Sequence, residues 1–142
     1  MAELLGEHPY QMDPKGRISL PGKFRDVFGE GVFITLGQDG CLWAFPRDEW
    51  ERRSAEAREP ALSDAESRAY GRLFFGLAQE AALDVQGRLV IPRQLREKAR
   101  LRRDVTVVGV SDRLEIWDRE AYVRYMAPHE AAYTSGGLRP SR

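Results

Sequence analysis

The chain has 142 residues, 22 Lys plus Arg balanced by 22 Asp plus Glu, and 42% hydrophobic residues. That length suits one compact domain or two intimately joined small modules, and a formal charge of +0 excludes a uniformly basic, histone-like coat while leaving open nucleic-acid binding through a local patch. The single Cys41 excludes an intrachain disulfide, no strong metal-ligand cluster is visible, and neither a signal peptide nor a membrane-length apolar run is present, so an intracellular soluble protein is expected.

In chain order the first feature is DPKGRISLPGKFR at 13–25, which returns as DVQGRLVIPRQLR at 84–96, 71 residues later. Asp13/Asp84, Gly16/Gly87, Arg17/Arg88, Pro21/Pro92 and Arg25/Arg96 match, and Ile18/Leu89 and Phe24/Leu95 keep apolar character. With one extra residue in the second copy, FITLGQDGCLWAFPRDEW at 33–50 falls against VTVVGVSDRLEIWDREAY at 105–122 and keeps Gly37/Gly109, Leu42/Leu114 and Arg47/Arg119. Each half therefore predicts a turn at Gly16 or Gly87, a short strand, a short helix beginning near Pro21 or Pro92, two strands joined by a turn, and a further helical start. Phe24, Val27 and Phe28 carry the apolar spacing of the first short helix, and Leu95 and Ala99 that of the second. Strands whose edges are otherwise open would be covered in a two-copy barrel.

Between the halves, PRDEWERRSAEAREP is charge-laced, and SDAESRAYGRLFFGL offers a capping box from Ser63 to Glu66. One or two connecting helices are expected, with Ala65, Ala69, Leu73 and Leu77 lining the apolar face and Tyr70 and Phe74 widening it. They serve as a helical cap or as a subunit contact. A final helical segment surrounds Tyr122 and Met126, and TSGGLRPSR reads as a mobile tail.

The repeated Asp-x-x-x-Arg sets opposite charges four residues apart across a glycine turn. Asp13 and Asp84, with Gly16 and Gly87, are expected to support the loop, the carboxylates accepting backbone or arginine hydrogen bonds; direct partner contact is the other role open to them. Arg17 and Arg88 pair locally or present forked donors to an anion. Residues 13–25 hold four basic and one acidic residue, a charge of +3, and residues 84–103 hold seven and two, a charge of +5. Residues 47–66 hold four basic and seven acidic residues, a charge of −3. Basic loops would attract phosphates, and an arginine reaching a guanine edge would add discrimination. Lys15, Arg17 and Arg88 are the leading DNA-contact candidates; Lys23, Arg25, Arg93 and Arg96 are auxiliary candidates for which a hydrated surface role is the alternative. Gln86 stands where the first copy has Lys15, so the two loops need not contribute equally.

At these residues the sequence closely resembles the MraZ family, whose members carry two SpoVT-AbrB-like segments; both DxxxR motifs and the helical region between them match over most of the chain. The resemblance implies a mainly β fold with short helices (α+β), a duplicated AbrB-like swapped-hairpin β barrel forming an intrachain pseudo-dimer, with connecting and C-terminal helices. Its segments would be 7–51 and 78–122, a helical connector 52–77, and a terminal helix and flexible tail 123–142. It further implies a homo-oligomeric ring acting as a transcriptional regulator on double-stranded DNA, at repeated operator sites upstream of the bacterial division and cell-wall gene cluster. Lys15 and Arg17 are the residues it implicates most strongly in DNA contact, with the second motif serving fold or assembly more than recognition. Promoter-proximal occupancy favours repression, in the cytoplasm and associated with the nucleoid.

Other classes are weaker. His8, Cys41 and His129 lie in unlike local settings without a nucleophile-base-orienter pattern, so no catalytic residue is assigned, and no phosphate-binding loop, metal site, cofactor, small-molecule substrate or membrane partner is expected. The competing possibility is a structural or interaction ring protein whose basic loops contact protein or neighbouring subunits instead of DNA.

Overall fold

In the computed structural model, which describes residues 3–141, each repeat lays down an entry strand, a loop, a short strand, a short helix and a hairpin. The first half gives β1 (Leu4–Gln11), β2 (Arg17–Ser19), α1 (Gly22–Arg25), β3 (Val32–Leu36) and β4 (Leu42–Pro46). The connector follows as α2 (Arg47–Arg58), one 3-10 turn (Pro60–Leu62) and α3 (Ala65–Gly76). The second half gives β5 (Gln79–Ala81), β6 (Arg88–Val90), α4 (Arg93–Lys98), β7 (Asp104–Ser111) and β8 (Leu114–Asp118), after which α5 (Arg119–Thr134) ends the order. This is a mixed α/β fold with a duplicated hairpin topology and connecting helices.

Six strands form one antiparallel sheet in the order β1-β7-β8-β4-β3-β5, and β2 pairs with β6 in a second, two-stranded sheet. The halves are interleaved: β1 of the first lies along β7 of the second, and β5 of the second along β3 of the first. At the centre, β4 meets β8 with Leu42 opposite Ile116, Trp43 opposite Glu115 and Ala44 opposite Leu114. Equivalent residues thus exchange places about the Trp43–Glu115 pair, and the β2–β6 pairing does the same about Ile18 and Leu89. A local two-fold axis relates the halves through these two pairs.

Strand alternation divides the large sheet into two buried faces. Val32, Ile34, Leu42, Ala44, Val105, Val107, Leu114 and Ile116 point to one face, where Ile18, Leu20, Phe24, Leu89, Ile91 and Leu95 from the small sheet and short helices close over them. Phe33, Trp43, Phe45 and Trp117 point to the other, beneath the connector and α5. There Trp50 of α2 stacks on Phe33 at 5.6 Å and on Phe74 of α3 at 5.2 Å, and the Thr35 hydroxyl donates to the Phe74 carbonyl at 2.7 Å. Burial on both faces explains why these strands read as near-continuous apolar runs.

Two expectations for the connector change. The helix is capped by Asp64, whose carboxylate accepts from the Ser67 amide at 2.8 Å, and the Ser63–Glu66 box does not form. Ser63 ends the preceding 3-10 turn, where its amide and hydroxyl both donate to the Pro60 carbonyl, so the helix starts one residue later. The inward face of α3 is Gly71, Phe74 and Leu77, while Ala65, Ala69 and Leu73 face outward. Gly71 selects this face: a Cβ there would stand 2.7 Å from the Ala61 Cβ, so the helix rests its bare backbone on the 3-10 turn. Pro21 and Pro92 precede their helices as N-caps. Residues 135–141, the described part of the tail, form no helix or strand.

The pairing of β1 with β7 needs the matched glycine at 109. A Cβ at Gly109 would lie 2.7 Å from the Leu4 carbonyl oxygen and closer still to the Leu5 amide, with backbone rather than a flexible side chain as the obstacle. Gly109→Ala is expected to destabilise the chain by roughly 1–3 kcal/mol, the usual cost of overpacking. Gly76→Ala, at the open end of α3 with nothing within 4 Å of the new methyl, should leave stability unchanged or raise it. Equilibrium denaturation of the two variants compares them directly.

Candidate nucleic-acid interface

The repeated motif builds the same loop twice. In the first, the Gly16 amide donates to the Asp13 carbonyl at 2.9 Å and the Asp13 amide to the Arg17 carbonyl at 3.0 Å, a closure that takes Gly16 to φ +79°. That left-handed conformation favours glycine. The Asp13 carboxylate then fills the loop: Oδ1 accepts from the amides of Lys15 at 3.0 Å and Arg17 at 2.9 Å, and Oδ2 accepts from Arg17 Nε at 2.6 Å. In the second loop Asp84 Oδ1 accepts from Gln86 and Arg88 at 2.9 and 2.8 Å, Oδ2 from Arg88 Nε at 2.7 Å, and Gly87 has φ +74°. Asp13 and Asp84 are held below the usual carboxylate range, chiefly by the backbone amides of Arg17 and Arg88, with the guanidinium bonds adding to the effect.

Each arginine is therefore gripped at Nε, and among the described residues its η nitrogens donate no hydrogen bond. The β2–β6 pairing sets both on one surface. Ile18 and Leu89 are buried, so strand alternation turns Arg17 and Ser19, and Arg88 and Val90 opposite them, to the outward side. The salt bridges within the motif and the presentation of free donors coexist, because different nitrogens of one guanidinium serve the two roles.

The auxiliary candidates divide. Arg96, on the second half's α4, lays its guanidinium over Gly16 of the first loop, and Arg25, on α1, lays its own over Gly87 of the second. Sequence spacing held no sign of this crossed packing, which pairs residues 80 and 62 positions apart. Lys15 and Lys23 are exposed, Lys23 with Nζ 5.2 Å from the Phe24 ring centre. Arg93 makes an exposed ion pair with Glu97 at 3.1 Å.

The high positive charge of 84–103 is partly spent within the fold. Arg102 binds the buried carboxylate of Asp118 at 2.9 Å and Glu120 at 3.0 Å, and Arg103 donates to Gln11 at 3.0 Å. Arg96, Lys98, Arg100, Arg103 and Arg124 nonetheless line an open groove of about 1730 Å³ between α4 and α5. On the opposite side of the chain, Glu49 is 4% exposed and accepts from Arg52 and Arg53, while Arg53 continues to Asp112 at 2.9 Å. Asp112 and Asp118 thus take their arginine partners, Arg53 and Arg102, from 59 and 16 positions away, beyond the reach of local sequence pattern.

Cys41 is fully buried and burial pushes its thiol up, away from thiolate chemistry. His8 sits on β1 with Nε2 3.1 Å from the Leu5 carbonyl, and His129 lies on α5 with its ring 5.2 Å from that of Tyr125. Among the described residues no three His, Cys, Asp or Glu side chains converge as metal ligands, and no helix is long and apolar enough to cross a membrane.

The loop bonds carry a pH signature. A carboxylate whose folded pKa is depressed contributes fully above its unfolded value, about 4, and loses that contribution as pH falls through the folded value. The amide chemical shifts of Lys15, Arg17, Gln86 and Arg88 should hold steady from about pH 8 to about pH 5 and move together only below about pH 4. Asp13→Asn should abolish the first pair's titration and spare the second. A titration step near neutrality in these amides would contradict the assignment.

Comparison with known proteins agrees with this duplicated architecture. The family model described as "MraZ protein, putative antitoxin-like" matches the chain twice, at residues 4–73 and 74–136. A protein of Salinispora arenicola named transcriptional regulator MraZ is 45% identical over 126 residues, 89% of each chain. Proteins of the same name from Heliobacterium modesticaldum and Desulfitobacterium hafniense are 40% identical over 85% of each chain and 41% identical over 92% of each chain. The chain belongs to the MraZ family of transcriptional regulators.

Proposed function

We propose that this protein is a sequence-specific DNA-binding repressor that acts as a homo-oligomeric ring on repeated operator sites close to promoters, upstream of the bacterial division and cell-wall gene cluster. The observation that carries the reading is the pair of arginines, Arg17 and Arg88, gripped at Nε by Asp13 and Asp84 and turned to one outward surface with their η nitrogens unengaged among the described residues. Such a fork fits either a phosphate or the O6/N7 edge of guanine. Lys15 stands in the first loop as a phosphate contact, with Lys23, Arg25, Arg93 and Arg96 extending the field, while Asp13, Gly16, Asp84 and Gly87 support the loops. Relatives of the same length carry the name transcriptional regulator, which supports a regulatory outcome for this surface.

The architecture in this reading is a swapped-hairpin β barrel, an intrachain pseudo-dimer made of segments 7–51 and 78–122 with the connector 52–77 and the terminal part 123–142. The crossed pairing of β1 with β7 and β5 with β3 supports it. Assembly is supported by charge and by uncovered apolar surface: residues 47–66 carry a charge of −3, the groove beside α4 is basic, Leu62, Tyr70 and Leu73 are exposed on the connector, and α5 buries no residue of its own. A closed ring would place several copies of a modest contact on successive repeats, so that effective concentration raises occupancy. The protein would reside in the cytoplasm, on the nucleoid.

Arg17→Ala tests the reading. It should leave fold and assembly mass unchanged and weaken binding to a repeated operator by about fivefold or more per site, because a bidentate arginine–guanine pair carries roughly 1–3 kcal/mol. Binding measured across salt concentrations, with mass measured in parallel, separates the outcomes. Full retention of affinity removes Arg17 from the interface; loss of assembly without any operator preference in the parent protein assigns the basic loops to subunit contact.

A further inference from the structure

Arg25 and Arg96 occupy equivalent positions of the repeat, 71 residues apart, and each leaves its own half. The Arg96 guanidinium fills the space where a Cβ of residue 16 would stand, with Cζ 2.6 Å from that position; at residue 87 the Arg25 side chain does the same, with Cδ at 2.8 Å. Both loop glycines have positive φ, so the bare Cα and the turn together form a flat seat that a planar guanidinium covers. The backbone crosses in the same sense. The Ile91 amide donates to the Gly16 carbonyl at 2.8 Å, and the Leu20 amide to the Gly87 carbonyl at 3.2 Å. The covering arginines come from fixed points, since the preceding residues Phe24 and Leu95 are 2% and 0% exposed and anchor α1 and α4 in the core.

We propose that Arg25 and Arg96 are crossed positioning residues: each clamps the arginine-presenting loop of the opposite half, so that Arg17 and Arg88 are offered as one rigid unit and neither loop is ordered by its own half alone. The consequence for recognition rests on the DNA-binding reading above; the clamp itself does not. Asp13 and Asp84 organise each loop from within, and a crossing guanidinium covers it from outside, excluding water from the glycine turn. A lysine, with one compact ammonium in place of a flat fork, covers that seat poorly although it satisfies a phosphate.

Amide hydrogen exchange on the full-length chain without DNA tests the clamp. Arg96→Ala should speed exchange of Lys15, Gly16, Arg17 and Ile91 by about fivefold or more, through local opening, and leave Gln86, Gly87 and Arg88 unchanged. Arg25→Ala should give the reverse pattern. Arg96→Lys, a milder change should the alanine variant fold poorly, should reproduce the Arg96→Ala pattern in weaker form. In DNA binding, Arg17→Ala and Arg96→Ala should be less than additive, because a loosened loop has already lost much of what Arg17 supplies. Faster exchange in the loop of the same half, equal acceleration in both loops, or no acceleration in either would overturn the clamp. So would an affinity loss that Arg96→Lys fully restores with loop exchange unchanged, the signature of a plain phosphate contact. If the parent protein binds no operator, the functional reading fails and the exchange pattern still decides the clamp.

Discussion

The three-residue pairing of β2 with β6 is the constraint on which the rest of the molecule depends. Taken singly, either half has a strand too short to stand alone and a half-covered sheet. Pairing Arg17–Ser19 with Arg88–Val90 buries Ile18 and Leu89 at 1% and 0% exposure over the core and closes one face of the large sheet. The same act turns the two arginines to the outside and brings each glycine turn within reach of the other half's helix. Folding and site assembly are thus one event: a chain that fails to join its halves loses the core and the surface together.

The duplication was legible because its cause is local. A glycine at positive φ, a carboxylate that must bond two amides ahead of it, and a strand that must alternate leave the same residues at the same spacing twice. Hairpin strands such as Val32–Leu36 and Leu114–Asp118 were legible for the same reason, their β-branched and aromatic content being a short-range signal. What could not be read depends on partners far along the chain. β1 contains Gly6 and Pro9 and is largely exposed on one side, a weak strand by composition, and it exists because β7 offers eight register positions to it. The outward turn of Leu73 and the inward turn of Gly71 follow from the 3-10 turn beneath α3, and helical periodicity alone does not carry that choice. The crossed arginines were invisible for the same reason: pattern matching aligns Arg25 with Arg96 and gives no sign that each belongs to the other's loop.

Joining the two halves in one chain also allows them to differ, which two identical chains about a true two-fold axis could not do. At the axis an indole faces a carboxylate: Trp43 Nε1 donates to Glu115 Oε2 at 3.0 Å, Trp117 Nε1 donates to its other oxygen at 3.0 Å, and Arg113 pairs with it at 3.1 Å. Identical residues there would set two indoles or two carboxylates against each other, the latter at high desolvation cost. The first half is followed by α2 and α3, which pack their aromatic residues over Phe33 and Phe45, and the second by α5, whose Tyr122 packs on Trp117. The difference extends to the loops, where Gln86 occupies the repeat position of Lys15. A chain that must meet an asymmetric partner gains from keeping one fold and varying its two ends.

The charge of the motif bears on what such loops can recognise. Within each Asp-Arg pair the unit charges cancel, so the arginine adds little to long-range attraction for a polyanion; in the proposed DNA-binding role that attraction would come from Lys15 and the cations around α4. What the carboxylate supplies is orientation. By fixing Nε at 2.6 or 2.7 Å and spending one face of the guanidinium, it removes much of the side-chain freedom that a partner would otherwise have to remove on binding. A lone surface arginine is suited to any phosphate in reach, whereas a locked fork is suited to an acceptor pair in one geometry. The crossed guanidiniums extend that rigidity to the backbone beneath the fork. Residues of zero local charge can therefore form the more discriminating part of a surface whose attraction resides elsewhere, and the chain's neutral total is compatible with both of the proposed functions because different side chains would carry them.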